Sequence, residues 1–373
     1  MKQVILIPDS FKGTLSAVEF CDLGREALEK HLPDCRVLTI PVADGGEGTV
    51  DCFVHALQAR RVTACVTGPW GEPVQARYAV HEGTAFVEMA QAAGLPMVGE
   101  RKDPSRTTTY GVGELIHHAV EQGCRDIVLG LGGSCTNDAG TGCAAALGVR
   151  FFDADGAEFI PNGATLHQIA DYDTTAAEEL LRGCTLTAMC DIDNPMYGPQ
   201  GAAAIFGPQK GADEAMVAQL DQGLRHLAAV IRHRTGRDVN EVPGAGAAGA
   251  FGAGVVAFLG GVLKSGIETV LDCVGFDELL QDTDMVFTGE GQLDSQSLRG
   301  KVVIGIARRA AAQQVPVIAV VGSIGEGAEG AYELGVTSVF SINRRAEDFS
   351  VSRHKTRENF SATMDSIVRL LAR

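Results

Sequence analysis

The chain has 373 residues, which at roughly 150 residues per domain implies two or three domains with a sizeable apolar core. It is 45% hydrophobic and 21% charged with a net charge of -16, so its mean field repels nucleic-acid backbones and anionic membranes. Its 10 cysteines show no CxxC spacing and the start MKQVILIPDS turns polar too soon for a secretory signal, which predicts a cytoplasmic protein with reduced thiols.

Residues 4–7 form an apolar run closed by Pro8-Asp9-Ser10, and Ser16 with Glu19 makes a capping box before Phe20, Leu23 and Ala27. This reads as strand, polar loop and helix. Residues 37–40 predict a second strand, followed by the turn-forming DGGEG at 44–48 and a helix over 49–57. Residues 62–66, 74–80 and 84–89 read as strands, the last two joined as a hairpin at His81-Glu82-Gly83. Strand-helix alternation then returns, with a helix over 112–122, a strand at 127–131, the loop GGSCTNDAG at 132–140 and a helix through Leu147.

Residues 151–183 read as polar loop and short helix, and a strand at 185–189 delivers Cys190-Asp191. FGPQKG at 206–211 precedes an amphipathic helix carrying Met216, Leu220, Leu224, Leu227 and Ile231. Residues 242–263 hold no charge, nominally enough to cross a membrane. Seven glycines and one proline in that run favour a buried, glycine-opened helix instead. Strands at 285–288, 315–321 and 338–342 and a helix at 302–312 complete the pattern. The shared rhythm of both ends predicts one discontinuous α/β domain, 1–65 plus 275–373, with 66–274 inserted as a second.

Four loops that follow apolar strands, PDSFKG at 8–13, ADGGEG at 43–48, GLGGSCTNDAG at 130–140 and TGEGQLDSQS at 288–297, combine glycine with carboxylates and hydroxyls. Glycine lets amides converge on phosphate oxygens, and carboxylates hold the cation that bridges them, so the set points to phosphoryl transfer. No GxxxxGKS/T loop is present, and no GxGxxG string has an acid at the required distance. This disfavours a Walker-type ATPase and an NAD-dependent 2-hydroxy-acid oxidoreductase.

Lys12 and Lys301 are the candidate phosphate-facing ammonium groups, and Lys102 with Arg106 suits a carboxylate clamp before Thr107-Thr108-Thr109. Asp191, beside Asp193 and Asn194, is the candidate catalytic carboxylate; Asp44 and Asp138 compete for the same duty. Gly246, within PGAGAAGAFGAG at 243–254, opens a helix whose amides suit a phosphate or carboxylate. Cys135 reads as a mildly acidic thiol with no paired base, and the nine histidines form no metal constellation.

Taken together, PDSFKGTLSA, PVADGGEGT, GLGGSCTNDAGTG, FGPQKGA, PGAGAAG and TGEGQLDSQSLRGKVVIGIA resemble the bacterial glycerate kinase family, which includes glycerate 2-kinases, over essentially the whole chain. The resemblance implies a flavodoxin-like parallel-sheet domain with a larger inserted α/β domain of mixed sheet, the site between them, and ATP and Mg2+ acting with D-glycerate to give 2-phosphoglycerate. Its polar motifs cover most of the following positions, whose roles are assigned by their chemistry. Asp191, Lys12 and Asp44 are catalytic; Ser10, Lys102, Arg106, Thr109, Asn137 and Asn194 bind substrate. Gly132, Gly133, Ser134, Thr136, Lys210, Gly246, Gly289, Gly291, Ser297 and Lys301 contact the nucleotide, and Asp138, Glu290 and Asp294 hold the metal.

Transfer to the 3-hydroxyl and a non-catalytic regulator that binds a phosphorylated metabolite stand as alternatives. A monomer or homodimer without nucleic-acid or membrane partners is expected. The sequence departs from the family pattern at Cys135, at Asp138-Ala139-Gly140, and at Gln292, where an arginine is usual; Lys301 or Arg299 would take over that charge.

Overall fold

The computed structural model describes every residue except Lys12, Asp44, Glu47 and Arg373, and Arg299 by its backbone alone, so the expectations at Lys12, at Asp44 and for the Arg299 side chain lie outside the described residues. Its two main sheets are built from β1 (Gln3–Leu6), β2 (Arg36–Thr39), β3 (Arg60–Thr67), β4 (Pro73–His81), β5 (Thr84–Glu88), β6 (Asp126–Gly130), β7 (Thr185–Met189), β8 (Val262–Lys264), β9 (Met285–Thr288), β10 (Val317–Val321) and β11 (Ser338–Ser341). The chain divides into two compact units, Met1–Asp44 with Asp51–Gln58 and Ile267–Arg373, and Gly45–Val50 with Ala59–Gly266.

The first unit holds a parallel sheet of order β11-β10-β9-β1-β2. This is the flavodoxin-like order, and the chain reverses its winding direction between β1 and β9. All four residues of β1 are buried, as the continuous apolar run of a parallel strand covered on both faces requires. The helix Ala17–His31 starts as its sequence dictates: Ser16 Oγ accepts from Glu19 N at 3.2 Å, and the Glu19 carboxylate accepts from Ser16 N at 2.9 Å. Phe20 of that helix packs on Phe360 of the helix Thr356–Leu371, ring centroids 4.3 Å apart.

The second unit holds a mixed sheet of order β8-β7-β6-β5-β4-β3, with β3 to β5 antiparallel and β5 to β8 parallel. The expected hairpin forms, with His81 opposite Thr84. The helix Glu214–Thr235 buries Leu220, Leu224, Leu227 and Ile231, and Asp213 caps it by accepting from Met216 N at 2.8 Å. Residues 151–183, expected as loop and helix, also carry a small sheet of Arg150–Phe152, Glu158–Phe159 and Asp171–Asp173.

Two expectations change. The charge-free run is a buried helix, Ala247–Phe258, followed by the strand β8 rather than helix throughout. Ala248, Gly249 and Ala250 within it are left-handed, with φ of 55°, 69° and 68°. The unit limits also move: β3 pairs with β4 along its whole length, so residues 59–65 go with the second unit. Residues 267–274 go with the first, where Arg309 pairs with Glu268 and Asp272 at 2.6 Å each. Among the described residues no helix is long and apolar enough to cross a membrane. All ten cysteines are free thiols.

Candidate active site

In the second unit the parallel strands β5, β6 and β7 end side by side, so the loops that follow them share one edge. Two of these loops rest on the glycine run 244–254. A Cβ on Gly246 would lie 2.3 Å from Pro195 O, and one on Gly249 would lie 2.1 Å from Thr136 O and 2.6 Å from Asn137 Cα. Only glycine permits that approach. The run therefore brings the 190–195 loop and the 134–140 loop onto a common floor. The DGGEG loop joins them, since Gly132 N donates to Gly45 O at 2.9 Å and a Cβ on Gly132 would meet Gly46 Cα at 2.5 Å.

On this floor Asp191 is exposed, and its Oδ1 accepts from Ser265 Oγ at 3.1 Å and Gly266 N at 2.8 Å. Asn194 donates to Gln200 O at 2.8 Å while its carbonyl accepts from Gly246 N at 2.9 Å. Asn137 is fully buried with neither amide atom hydrogen-bonded, and Thr136 Oγ1 beside it is also unpaired. Lys210 is buried too, its ammonium donating to Ser134 Oγ at 2.6 Å and Thr136 O at 2.7 Å. Burial pulls its pKa down to about 8. Lys102 and Arg106 are exposed cations with no ion pair among the described residues.

In the first unit the reversal point between β1 and β9 collects the second polar group. In open α/β sheets this crevice is where ligands bind. Asp9 N donates to Gly289 O at 2.9 Å and Ser10 N to Asp9 Oδ1 at 2.6 Å. Gly289 lies against Val320 O, and Gly291 O accepts from Ser323 N at 3.0 Å. Glu290 is 8% exposed with Oε1 unpaired. Burial chiefly, with Asp9 and Asp294 adding to it, raises its pKa to about 7. Asp294 is held low by the backbone amides of Gln296 and Ser297. Ser297 is buried, and exposed Lys301 precedes the helix Val302–Ala312, which has no side-chain cap.

The glycerate kinase family model matches residues 4–372. The chain belongs to this family. It is 45% identical to a glycerate 2-kinase of Escherichia coli K12 over 91% of its own length and 90% of that protein's. A glycerate kinase of Bacillus cereus is 42% identical over 98% of this chain and 97% of its own. A solved structure of a candidate glycerate kinase 2 from Salmonella typhimurium LT2 aligns with a TM-score of 0.87 at 39% identity, covering 99% of this chain and 98% of that one.

For a glycerate kinase, several expected contacts are spent inside the protein. Asp138 is fully buried: Thr109 N and Oγ1 donate to it at 2.8 Å each, Gly140 N at 3.1 Å and Gly142 N at 3.4 Å. Those donors leave it as an anchor for the 138–142 turn. Thr109, expected at substrate, is likewise buried, its hydroxyl also accepting from Cys143 N at 2.9 Å. Cys135 is not acidic, because burial pushes its thiol up to about 12. Gly133, two residues earlier in the same loop, has φ of 73°. Among the described residues no three His, Cys, Asp or Glu side chains converge as a cation cage. Glu88, which the sequence reading passed over, is a buried acid ending β5 that accepts from Val50 N at 3.4 Å. Its signal was a carboxylate closing the apolar run TAFVE.

The pKa of Glu290 has a sign that stability reports. Folding raises it from an ordinary 4.5 to about 7, so its stabilising share is whole below 4.5 and is lost as pH rises through 7. Glu290→Gln should therefore change stability little at pH 4.5 and raise it, with the thermal midpoint, at pH 8 by about 3 kcal/mol. Thermal melts at the two pH values check this; equal effects at both contradict it.

Proposed function

We propose that the protein transfers the γ-phosphoryl group of ATP to the 2-hydroxyl of D-glycerate, giving 2-phospho-D-glycerate and ADP. The observation that carries this reading is the 45% identity with the E. coli glycerate 2-kinase over 91% of the chain. The side chains supply suitable chemistry. Exposed Lys102 and Arg106 receive the substrate carboxylate, while Asn137 and Asn194 meet its hydroxyls. Asp191 orients the 2-hydroxyl and accepts its proton as that oxygen bonds to the γ-phosphorus and the bond to the ADP oxygen breaks.

Ser10, Ser297, Lys301 and the amides at Gly289 and Gly291 suit phosphate oxygens in the first unit, as the uncapped helix start at Val302 does. Gly132 and Gly133 offer amides in the second. Lys12 and Asp44 keep the phosphate and carboxylate duties that their chemistry suggests. Mg2+ is commonly held by one or two carboxylates plus nucleotide phosphates. Glu290, whose Oε1 is unpaired, and Asp9 beside it fit such a partial set. The ion would neutralise charge on the β- and γ-phosphates. The protein would act in the cytoplasm as a monomer or homodimer, its net charge of -16 disfavouring nucleic acid as a partner.

A coupled assay of ADP release tests the reading. Saturable release dependent on D-glycerate is expected. Binding of glycerate or a phosphorylated metabolite without ADP release would favour the regulator instead.

A further inference from the structure

Lys210 ends a tight turn, Pro208–Lys210, and its ammonium is spent on two atoms of one loop, Ser134 Oγ and Thr136 O. The residue after it, Gly211, has φ of 100°, and a Cβ there would lie 2.5 Å from Lys102 Cβ and 2.6 Å from Lys102 O. The same turn thus abuts the 102–107 segment at its start. At its end, Thr107 Oγ1 donates at 2.9 Å to the carbonyl of Cys135, which lies between the two loop residues that Lys210 grips. Asp103 stiffens the segment internally by accepting from Ser105 N at 3.1 Å and Ser105 Oγ at 2.6 Å. The free cations Lys102 and Arg106 are carried on this doubly anchored segment, and unpaired Asn137 follows the gripped loop.

We propose that Lys210 is a positioning residue for the acceptor substrate. It locks the 134–137 loop and the 102–107 segment in register and so sets affinity for D-glycerate without touching it. The inference rests on the glycerate reading above. It departs from the sequence-based expectation that Lys210 faces a phosphate, since its donors point into the protein. Burying an ammonium is costly, and an apolar side chain of similar shape would fill the space more cheaply. A requirement for geometry accounts for the lysine better than a requirement for stability. Cys135 and Asp138 are the titratable groups that bear on it; Asp138 favours its charged form, while the Cys135 thiol, pushed up to about 12, is uncharged.

The test compares the full-length wild type with Lys210→Met, Ser134→Ala and the double variant. Steady-state constants are measured for both substrates, and D-glycerate binding without ATP is followed by the fluorescence of Trp70, the only tryptophan. Its loop is tied to the residue that directly follows the segment, since Pro69 O accepts from Thr108 N at 3.1 Å. Lys210→Met should raise the KM and Kd for D-glycerate at least about tenfold, leaving kcat and the KM for ATP within about threefold. Ser134→Ala should shift the same constants less, and the double variant should be no worse than Lys210→Met.

A rise in the KM for ATP as large as that for glycerate would overturn the inference by returning Lys210 to the phosphate. Unchanged glycerate constants beside a lowered melting temperature would overturn it by leaving only a structural role. If Lys210→Met fails to fold, unchanged glycerate affinity in Ser134→Ala overturns it equally. Wild-type protein that neither binds nor phosphorylates D-glycerate would instead overturn the functional reading, and this inference with it.

Discussion

Asp138→Ala is expected to lower the unfolding free energy by about 4 kcal/mol, measured by urea denaturation. The substitution strips the acceptor from Thr109 N, Thr109 Oγ1, Gly140 N and Gly142 N in a fully buried setting. Each buried donor left unpaired costs on the order of 1–3 kcal/mol, with partial relaxation offsetting some of the sum. Asp138→Asn should be intermediate, since it keeps one acceptor but turns a second donor toward the existing ones. A stability unchanged from wild type, with activity lost and recovered only at high Mg2+, would contradict the anchor and restore the metal role expected from sequence. The two roles separate cleanly because an anchor acts in the absence of substrate.

Asp191→Asn should lower kcat by about 10²- to 10⁴-fold, the range a positioned general base contributes. Stability should hardly move, because Asp191 is exposed and the amide oxygen can keep the acceptor position facing Ser265 Oγ and Gly266 N. The KM for D-glycerate should stay within about threefold, as a group acting mainly in the transition state predicts. Near-normal turnover would remove Asp191 from the chemistry. A loss confined to MgATP affinity would move it to cation binding instead.

Local interactions were legible in the sequence and distant ones were not. The capping box at Ser16 and Glu19 spans three positions, and both of its hydrogen bonds form. The hairpin at 81–83 and the amphipathic stripe from Leu220 to Ile231 follow from periodicity alone. Asp138 looked like a free loop carboxylate because its main partner, Thr109, lies 29 positions away. Lys210 looked phosphate-facing for the same reason, its partners being 74 and 76 positions distant. The Ser265 contact that orients Asp191 spans 74 positions.

Pairing also decided the unit limits. Residues 62–66 read as a strand in either unit, and only the register with β4 assigns them. The left-handed turn at Ala248–Ala250 left no trace, because alanine gives no signal of positive φ and is strained there by roughly 1–2 kcal/mol per residue. The glycine run itself reads as a buried, glycine-opened helix, and residues 247–258 form one. What it packs against, Thr136, Asn137 and Pro195, required the fold.

Phosphorus NMR of the product formed from D-glycerate and ATP tests the central assignment most directly. The account predicts ADP together with a phosphomonoester coupled to the single proton on C2, the signature of 2-phosphoglycerate. A phosphorus signal coupled to the two C3 protons, marking 3-phosphoglycerate, would contradict it.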